Sequence, residues 1–225
     1  MPIDYRKAKQ QAWVTNIKDI DLQEPSIQKK VLNWAELRGI ALQDLLQDIE
    51  HSKYFKYAFA KDPVRQNLYE RLALDFLSNL PLLKDVVKLA PNGEKSLFVH
   101  KGILTLGENI PRTQRAESKS KSIDFKFAIK PFGQRKHDIT CYAMHKYTEG
   151  EGGAQDNQYS DLRLFLYNCP TNRQECYIAF ADGDYYTSRL RSLKDEFDIA
   201  SKRRVFTLNE FESYILDGGV VWQIT

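Results

Sequence analysis

Cysteine, long apolar runs and a leading signal segment are scarce or missing, and each absence excludes a class of protein. Cysteine occurs only three times, at Cys141, Cys169 and Cys176, and no two form a Cys-x-x-Cys pair. That spacing argues against a zinc site and a secreted disulfide framework. No apolar run approaches the ~20 residues that a membrane span needs, and the first residues lack the apolar core of a secretory signal. We therefore expect a cytoplasmic protein with buried thiols and no membrane partner.

Several familiar catalytic motifs are also missing. The sequence contains no Gly-x-x-x-x-Gly-Lys-Ser/Thr phosphate loop, no His-Glu-x-x-His zinc motif and no nucleophile elbow. What the chain has is 225 residues, of which 42% are apolar. This is enough for a folded domain with a real core, with or without a helical extension.

Hydrophobic periodicity divides the chain into two regions. Residues 1–22 are polar and predict a loosely ordered segment, whereas 25–90 is almost wholly helical in pattern, with one helix predicted to begin at Asp62-Pro63. From residue 96 onward short strands and amphipathic helices alternate. We predict an α/β (α+β) fold with a mixed central sheet flanked by helices, a helical N-terminal region over 1–94 and a core over 95–225.

A predicted β-hairpin lies in the middle of the second region. Two alternating runs flank a polar turn, and the first places Ile123 and Phe125 on one face and Asp124 on the other. The second run places Met144 and Lys146 on a common face. Paired strands lie ~5 Å apart, so an acid and a lysine on neighbouring strands can meet. Carboxylates that hold Mg²⁺, with a lysine beside them, are the groups that metal-assisted phosphodiester hydrolysis requires.

The net charge of +3 hides a local excess of positive charge around the hairpin. Between residues 112 and 136, Glu117 and Asp124 oppose eight cations, which are Arg112, Arg115, Lys119, Lys121, Lys126, Lys130, Arg135 and Lys136. A concentrated positive field suits a polyanion better than a neutral metabolite. Charge alone leaves open whether this segment binds nucleic acid or is a solvated loop.

The order of these motifs resembles the PD-(D/E)XK nuclease core, in particular that of type II restriction endonucleases. The resemblance covers residues 95–208 and is carried by Ser-Ile-Asp-Phe, a strand ending in Lys-Tyr-Thr, and Gly-Gly-Ala-Gln-Asp-Asn-Gln before a helix. A later Asp-Gly-Asp strand end adds to it. The resemblance implies a restriction-endonuclease-like fold, Mg²⁺ as cofactor, Asp124 as the first metal-binding acid and Lys146 as the catalytic lysine.

One position departs from the family pattern, because Met144 stands where an acid is expected two residues before the lysine. A thioether cannot replace a carboxylate at Mg²⁺. The second acid could come from elsewhere, with Glu70 and Asp156 as the first candidates for the catalytic and metal-binding set and Glu149, Glu151 and Asp161 as further ones. Alternatively, Asp124-Phe125-Lys126 is itself the acid-lysine element with Glu108 or Glu117 upstream, or the site is inactive.

Two groups of polar residues are predicted to contact DNA. Gln155, Asn157 and Gln158 lie where the glycine-rich loop meets a helix, and Asn and Gln amides can read adenine edges. Helix capping explains them equally well. Arg112, Arg115, Lys119 and Lys121 are better suited to the phosphate backbone, which positions a protein without specifying sequence.

These observations lead to one principal hypothesis and one alternative. The principal hypothesis is a type II restriction endonuclease, a Mg²⁺-dependent deoxyribonuclease that cuts double-stranded DNA at a short specific site as a homodimer. The alternative is a catalytically inactive DNA-binding module on the same fold, which Met144 motivates. A weaker third interpretation is an interaction protein with no nucleic-acid role.

Overall fold

The protein divides into two compact units. The structure, a computed structural model, describes residues 3–91, 93–111, 113–114, 121–133, 136–150, 153–170, 175–198 and 204–218. Its contacts separate Met1–Arg71 from Leu72–Thr225, whereas composition placed the boundary near residue 94. We call these the helical unit and the sheet unit.

The helical unit contains α1 (Tyr5–Lys18), α2 (Pro25–Arg38), α3 (Leu42–His51) and α4 (Lys53–Phe59), and α5 (Leu68–Ser78) begins in it. α2 starts with a proline at its first turn and ends at Gly39, whose φ of 63° lets the chain leave the helix. In α3, Leu45 and Ile49 are buried with the apolar face of α2. Helix burial therefore builds a small separate core.

Two expectations about this region were wrong in detail. Residues 1–22 contain α1, whose first turn is capped by Asp4 accepting from the Lys7 N–H at 2.9 Å. The Asp62-Pro63 signal starts only a 3-10 turn, Val64–Gln66, because Asn67 takes a φ of 57° before α5 begins. The polar composition of α1 explains why the sequence did not indicate a helix there, and the left-handed conformation of Asn67 explains why α5 begins later than predicted.

The sheet unit contains a five-stranded and a three-stranded sheet. The first has the order β1 (Leu83–Lys88), β5 (Phe125–Ile129), β6 (Ile139–Tyr147), β7 (Glu175–Asp182) and β8 (Val205–Phe206). β1, β5 and β6 pair antiparallel, and β6, β7 and β8 pair parallel. The second has the order β3 (Ile103–Leu106), β2 (Leu97–His100) and β4 (Lys121–Ser122). The predicted mixed central sheet and its β5–β6 hairpin are confirmed.

Helices cover both faces of the five-stranded sheet. α6 (Gly153–Asn168) joins β6 to β7 and buries Leu162 and Phe165 against Tyr142 and Met144 of β6. α7 (Asp184–Thr187) and α8 (Leu190–Phe197) follow β7. α9 (Leu208–Leu216) packs Phe211 edge-on against Phe127 and Phe180. Successive β6 side chains therefore point into two different cores.

β1 corrects the helical prediction for 1–94, because it is a strand within that region. Its pairing with β5 is interrupted between Lys84 and Val87, where Asp85 has a φ of 54°, and its sequence, Leu-Lys-Asp-Val-Val-Lys, lacks the apolar–polar alternation that signals a strand. The three cysteines are free and buried, as predicted. No helix in the described ranges is long and apolar enough to cross a membrane.

Candidate functional site

Asp124 lies where the chain passes from one sheet to the other. Ile123 donates its N–H to Leu97 O of β2 at 2.8 Å, and Asp124 donates its own to Ala143 O of β6 at 3.0 Å. The Asp124 carbonyl accepts from the Leu89 N–H at 2.8 Å. Both backbone groups of the acid are therefore held, and its position is fixed by two sheets rather than by a loop.

The Asp124 side chain reaches the strand that carries Lys146. Its Oδ2 accepts the backbone N–H of His145 at 2.8 Å. The β5–β6 register pairs Phe125 with Ala143, so Asp124 lies one step beyond, opposite Met144 and on the face of Lys146. The predicted juxtaposition of Asp124 with the Lys146 strand is thus present in the structure.

Lys146 belongs to a cluster that includes an acid from α6. Its Nζ lies 3.8 Å from Oδ2 of Asp161, and Nζ of Lys121 lies 2.7 Å from Oδ1 of the same carboxylate. We call Lys121, Lys146 and Asp161 the lysine–aspartate cluster. Its side chains are 22–34% exposed, so an incoming anion or cation could exchange with these partners.

Met144 is part of the apolar core. It is 1% exposed and packs with Leu162, Phe165 and other residues beneath α6. An ionised carboxylate there would lose most of its hydration without a partner, which is costly. Met144 therefore has a packing role, and an acid to accompany Asp124 has to come from another element.

The carboxyl ends of β6 and β7 meet closely beside the cluster. Thr148 donates its N–H to Asp182 O at 2.9 Å and accepts from the Tyr185 N–H at 3.3 Å. Its hydroxyl donates to Oε1 of Gln158 on α6 at 2.7 Å. Gly183 has a φ of 101°, and a Cβ there would lie 2.2 Å from Thr148 O. Only glycine permits this approach.

Tyr186 places a buried polar group next to the cluster. It is 1% exposed, and its hydroxyl has no hydrogen-bond partner among the described residues. Burial raises the pKa of Tyr186, the adjacent Thr148 side chain partly opposes this rise, and the nearby groups of Tyr185, Asp161 and Asp182 add to it. The phenol therefore stays protonated at neutral pH and can donate a hydrogen bond.

The opposite face of β6 carries a different pair. His145, only 4% exposed, places Nε2 3.1 Å from Oδ2 of Asp182, whose Oδ1 accepts the Leu208 N–H at 3.2 Å. The carboxylate thus ties β6, β7 and the start of α9 together.

The two acids that the sequence favoured, Asp156 and Glu70, do not belong to the lysine–aspartate cluster, and the further candidates Glu117 and Glu151 lie outside the described residues. Asp156 is in the first turn of α6, where it accepts from the Tyr185 hydroxyl at 2.6 Å. Five helical positions separate it from Asp161, which is about 140° around the helix. Glu70 lies in the first turn of α5 within the helical unit. The predicted roles of Glu70 and Asp156 as ligands stay predictions.

The predicted DNA contacts have uneven outcomes. Arg112, Arg115 and Lys119 lie outside the described residues, as does the side chain of Gln155, which is in α6. Asn157 is exposed, whereas the Gln158 amide oxygen is engaged by Thr148. Lys121, predicted to contact phosphate, is paired with Asp161. Of this set, Lys121 and Asn157 are the two described residues that could contact a ligand without breaking the Thr148–Gln158 hydrogen bond between the end of β6 and α6.

The sequence offered Asp161 as one of several acids without singling it out, and it assigned no role at the site to the hydroxyl of Tyr186. The contacts of Asp161 with Lys121 and Lys146 join residues 40 and 15 positions apart. No local pattern encodes them. The one usable signal was an acid beside Leu162 on the edge of the apolar face of α6.

The donor chemistry of the site is compatible with Mg²⁺. Within the described part of the chain, no three His, Cys, Asp or Glu side chains converge as a ready metal site. Mg²⁺ nevertheless binds through one or two carboxylates together with water and substrate phosphate oxygens. Asp124 and Asp161, both only partly buried, are carboxylates of this kind. The chain gives no match to a protein-family model, to a curated protein or to a solved structure.

Proposed function

We propose that this chain is a Mg²⁺-dependent endonuclease that cuts double-stranded DNA, in the manner of a type II restriction endonuclease with the corresponding fold. One observation carries the proposal: Asp124, held between two sheets, hydrogen-bonds to the strand of Lys146, whose ammonium group lies 3.8 Å from Asp161. Two acids and a lysine at a strand end are what metal-assisted phosphodiester hydrolysis needs.

Asp124 and Asp161 are the residues that would hold the metal, which would supply charge stabilisation at a non-bridging phosphate oxygen. Lys146 would orient the attacking water and stabilise negative charge in the transition state. Lys121 would leave Asp161 and pair with a phosphate, since its side chain is 34% exposed. Asp161 thereby takes the place that Met144 does not fill.

Tyr186 and Thr148 support the site from within the protein. The protonated Tyr186 hydroxyl next to Asp161 is a donor that can fix the orientation of that carboxylate when it leaves the lysines. Thr148 ties the end of β6 to α6 through Gln158. These bonds keep the lysine strand and the acid helix at a set distance, which catalysis by positioned charges requires.

The decisive test is digestion of phage and plasmid DNA in Mg²⁺, with discrete bands expected. Asp124→Ala should abolish cleavage, and Lys146→Ala should reduce it at least ~100-fold, which is typical for loss of one preorganised stabilising group. Gel shifts and circular dichroism on the same proteins provide the control, because binding and folding should persist. Unchanged cutting by Asp124→Ala would refute the assignment.

The second candidate is a DNA-binding module without catalysis, favoured by the burial of Met144 in the apolar core. It predicts gel shifts but no nicking in either Mg²⁺ or Mn²⁺.

Two copies would be needed to cut both strands at one site, so the enzyme hypothesis includes a homodimer in the cytoplasm. Light scattering with and without DNA tests that part separately.

A further inference from the structure

The helical unit contains a cavity of about 700 Å³ that the proposed nuclease site does not use. It lies between α1, α2 and the end of α4. The residues relevant to its chemistry are two aromatic rings, three cations and one acid, which are Trp13, Tyr57, Lys30, Lys61, Arg65 and Asp62. Its volume is that of a pocket for a small organic ligand.

Two stacked aromatic rings form one wall. Trp13 and Tyr57 lie with their centroids 4.5 Å apart and their planes 26° apart. Tyr57 remains 52% exposed although it is stacked on a large ring. A third planar group can extend such a stack, because every aromatic base has a π-face that stacks on tyrosine or tryptophan. The wall therefore favours a flat aromatic ligand.

The cations of the cavity favour an anion. Arg65 is exposed and forms no ion pair with any described residue. Lys61 is paired with Glu24 at 2.6 Å, and Lys30 donates to the carbonyl of Ala58 at 2.6 Å. Arg65 is thus the cation most ready to bind, and its planar guanidinium fits phosphate oxygens. Asp62 is turned to the backbone, accepting from the Val64 N–H at 2.9 Å.

We propose that this cavity is a nucleotide site, in which a base stacks on the Trp13–Tyr57 wall and a phosphate pairs with Arg65. The combination of a stacking wall and adjacent cations is how proteins hold single-stranded nucleic acid and free nucleotides. An apolar ligand would leave Arg65 unused, and a simple anion would leave the ring wall unused. The site does not depend on the nuclease proposal, because its residues all lie in the helical unit.

The test uses the full chain carrying Asp124→Ala, in EDTA, so that cleavage and metal binding play no part. Binding is measured in two ways, by fluorescence anisotropy of a labelled twelve-nucleotide oligothymidylate and by calorimetry with thymidine monophosphate. Tyr57→Ala should weaken binding about tenfold, the effect of losing one base stack. Tyr57→Phe should bind as the parent does, since the ring is kept.

Two matched controls complete the design. Tyr54, also on α4 but 89% exposed and outside the described lining of the cavity, should tolerate alanine without loss of affinity. Arg65→Ala should weaken binding and reduce the slope of log affinity against log salt concentration by about one, which corresponds to the loss of one phosphate contact. Arg71→Ala should change neither quantity. Binding of the strand alone assigns the nucleotide to nucleic acid, and comparable binding of the monophosphate assigns it to a free ligand. No binding in either measurement, or equal loss in Tyr54→Ala and Tyr57→Ala, would overturn the proposal.

Discussion

The two faces of β6 carry two acid-centred groups with opposite properties. On one face the side chains of His145 and Asp182 are 1% and 7% exposed and are bonded to each other and to the start of α9. On the other face, one residue further along, Lys146 shares Asp161 with Lys121 at 22–34% exposure. The first arrangement holds secondary structure together. The second has long, partly solvated side chains that can change partners, as ligand binding requires.

The difference shows that an acid next to a base does not by itself mark a functional site. Burial and the number of bonds made within the protein separate the two cases. Asp182 uses both oxygens on structural donors, so its removal should affect stability. Asp161 uses both oxygens on mobile ammonium groups, so its removal should affect activity. Two predictions test this contrast directly and a third tests the Tyr186 hydroxyl beside the second group, in order of decreasing effect on stability.

Asp182→Ala should lower the free energy of unfolding by about 3 kcal/mol, because it leaves His145 Nε2 and the Leu208 N–H without their acceptor. Urea denaturation followed by circular dichroism measures the change. Asp182→Asn keeps one acceptor oxygen and should cost less. A loss below about 1 kcal/mol for the alanine variant would show that the pair is not structural.

Asp161→Asn should change the free energy of unfolding by less than about 1 kcal/mol, because partly exposed ion pairs contribute little. Mg²⁺-dependent cleavage should nevertheless fall at least ~100-fold if this acid holds the metal. Asp156→Asn and Glu70→Gln are the matched controls on the acids that the sequence favoured. If either control abolishes cleavage and Asp161→Asn does not, the second acid lies there instead.

Tyr186→Phe should leave stability unchanged or raise it by up to about 1 kcal/mol, because it removes a buried hydroxyl without a described partner. The folded-state pKa of Tyr186 is raised above its unfolded value of ~10 by burial. Its contribution to stability is therefore complete below about pH 10 and is lost as pH rises towards the folded pKa.

Denaturation at pH 8 and pH 11 measures this dependence directly. The phenylalanine variant should lose less stability between the two values than the parent does. A reduced cleavage rate at pH 8 in a protein of equal or greater stability would indicate that the hydroxyl serves the site. A large loss of stability at pH 8 would contradict the absence of a buried partner.

Local patterns predicted most of the elements. α2, α3 and the β5–β6 hairpin follow from apolar spacing, with Pro25 and Gly39 marking the bounds of α2. The transfer of the chain between sheets at Asp124 could not be predicted, because the alternation from Ile123 to Ile129 continues through it. Sheet membership depends on partners distant in sequence, and β1 shows that an irregular edge strand leaves no alternation to detect.

The residues of the candidate site also fall into those that the sequence could indicate and those that it could not. Asp124 and Lys146 could be identified because adjacent antiparallel strands bring their faces into register. The position of Asp161 depends on how α6 lies across β6, which side-chain packing decides. Met144 was read as a missing ligand, whereas its 1% exposure makes it a core residue.

The close approach at Gly183 has a consequence for how this site could vary. Since a Cβ would lie 2.2 Å from Thr148 O, any other residue must push apart the ends of β6 and β7. Lys146 is two residues from that contact, and Gln158 carries the displacement to α6. The absence of a side chain at Gly183 therefore helps to set the distance between Lys146 on β6 and Asp161 on α6. Any side chain at position 183 is therefore expected to alter the distance between Lys146 and Asp161, although position 183 carries no reactive group of its own.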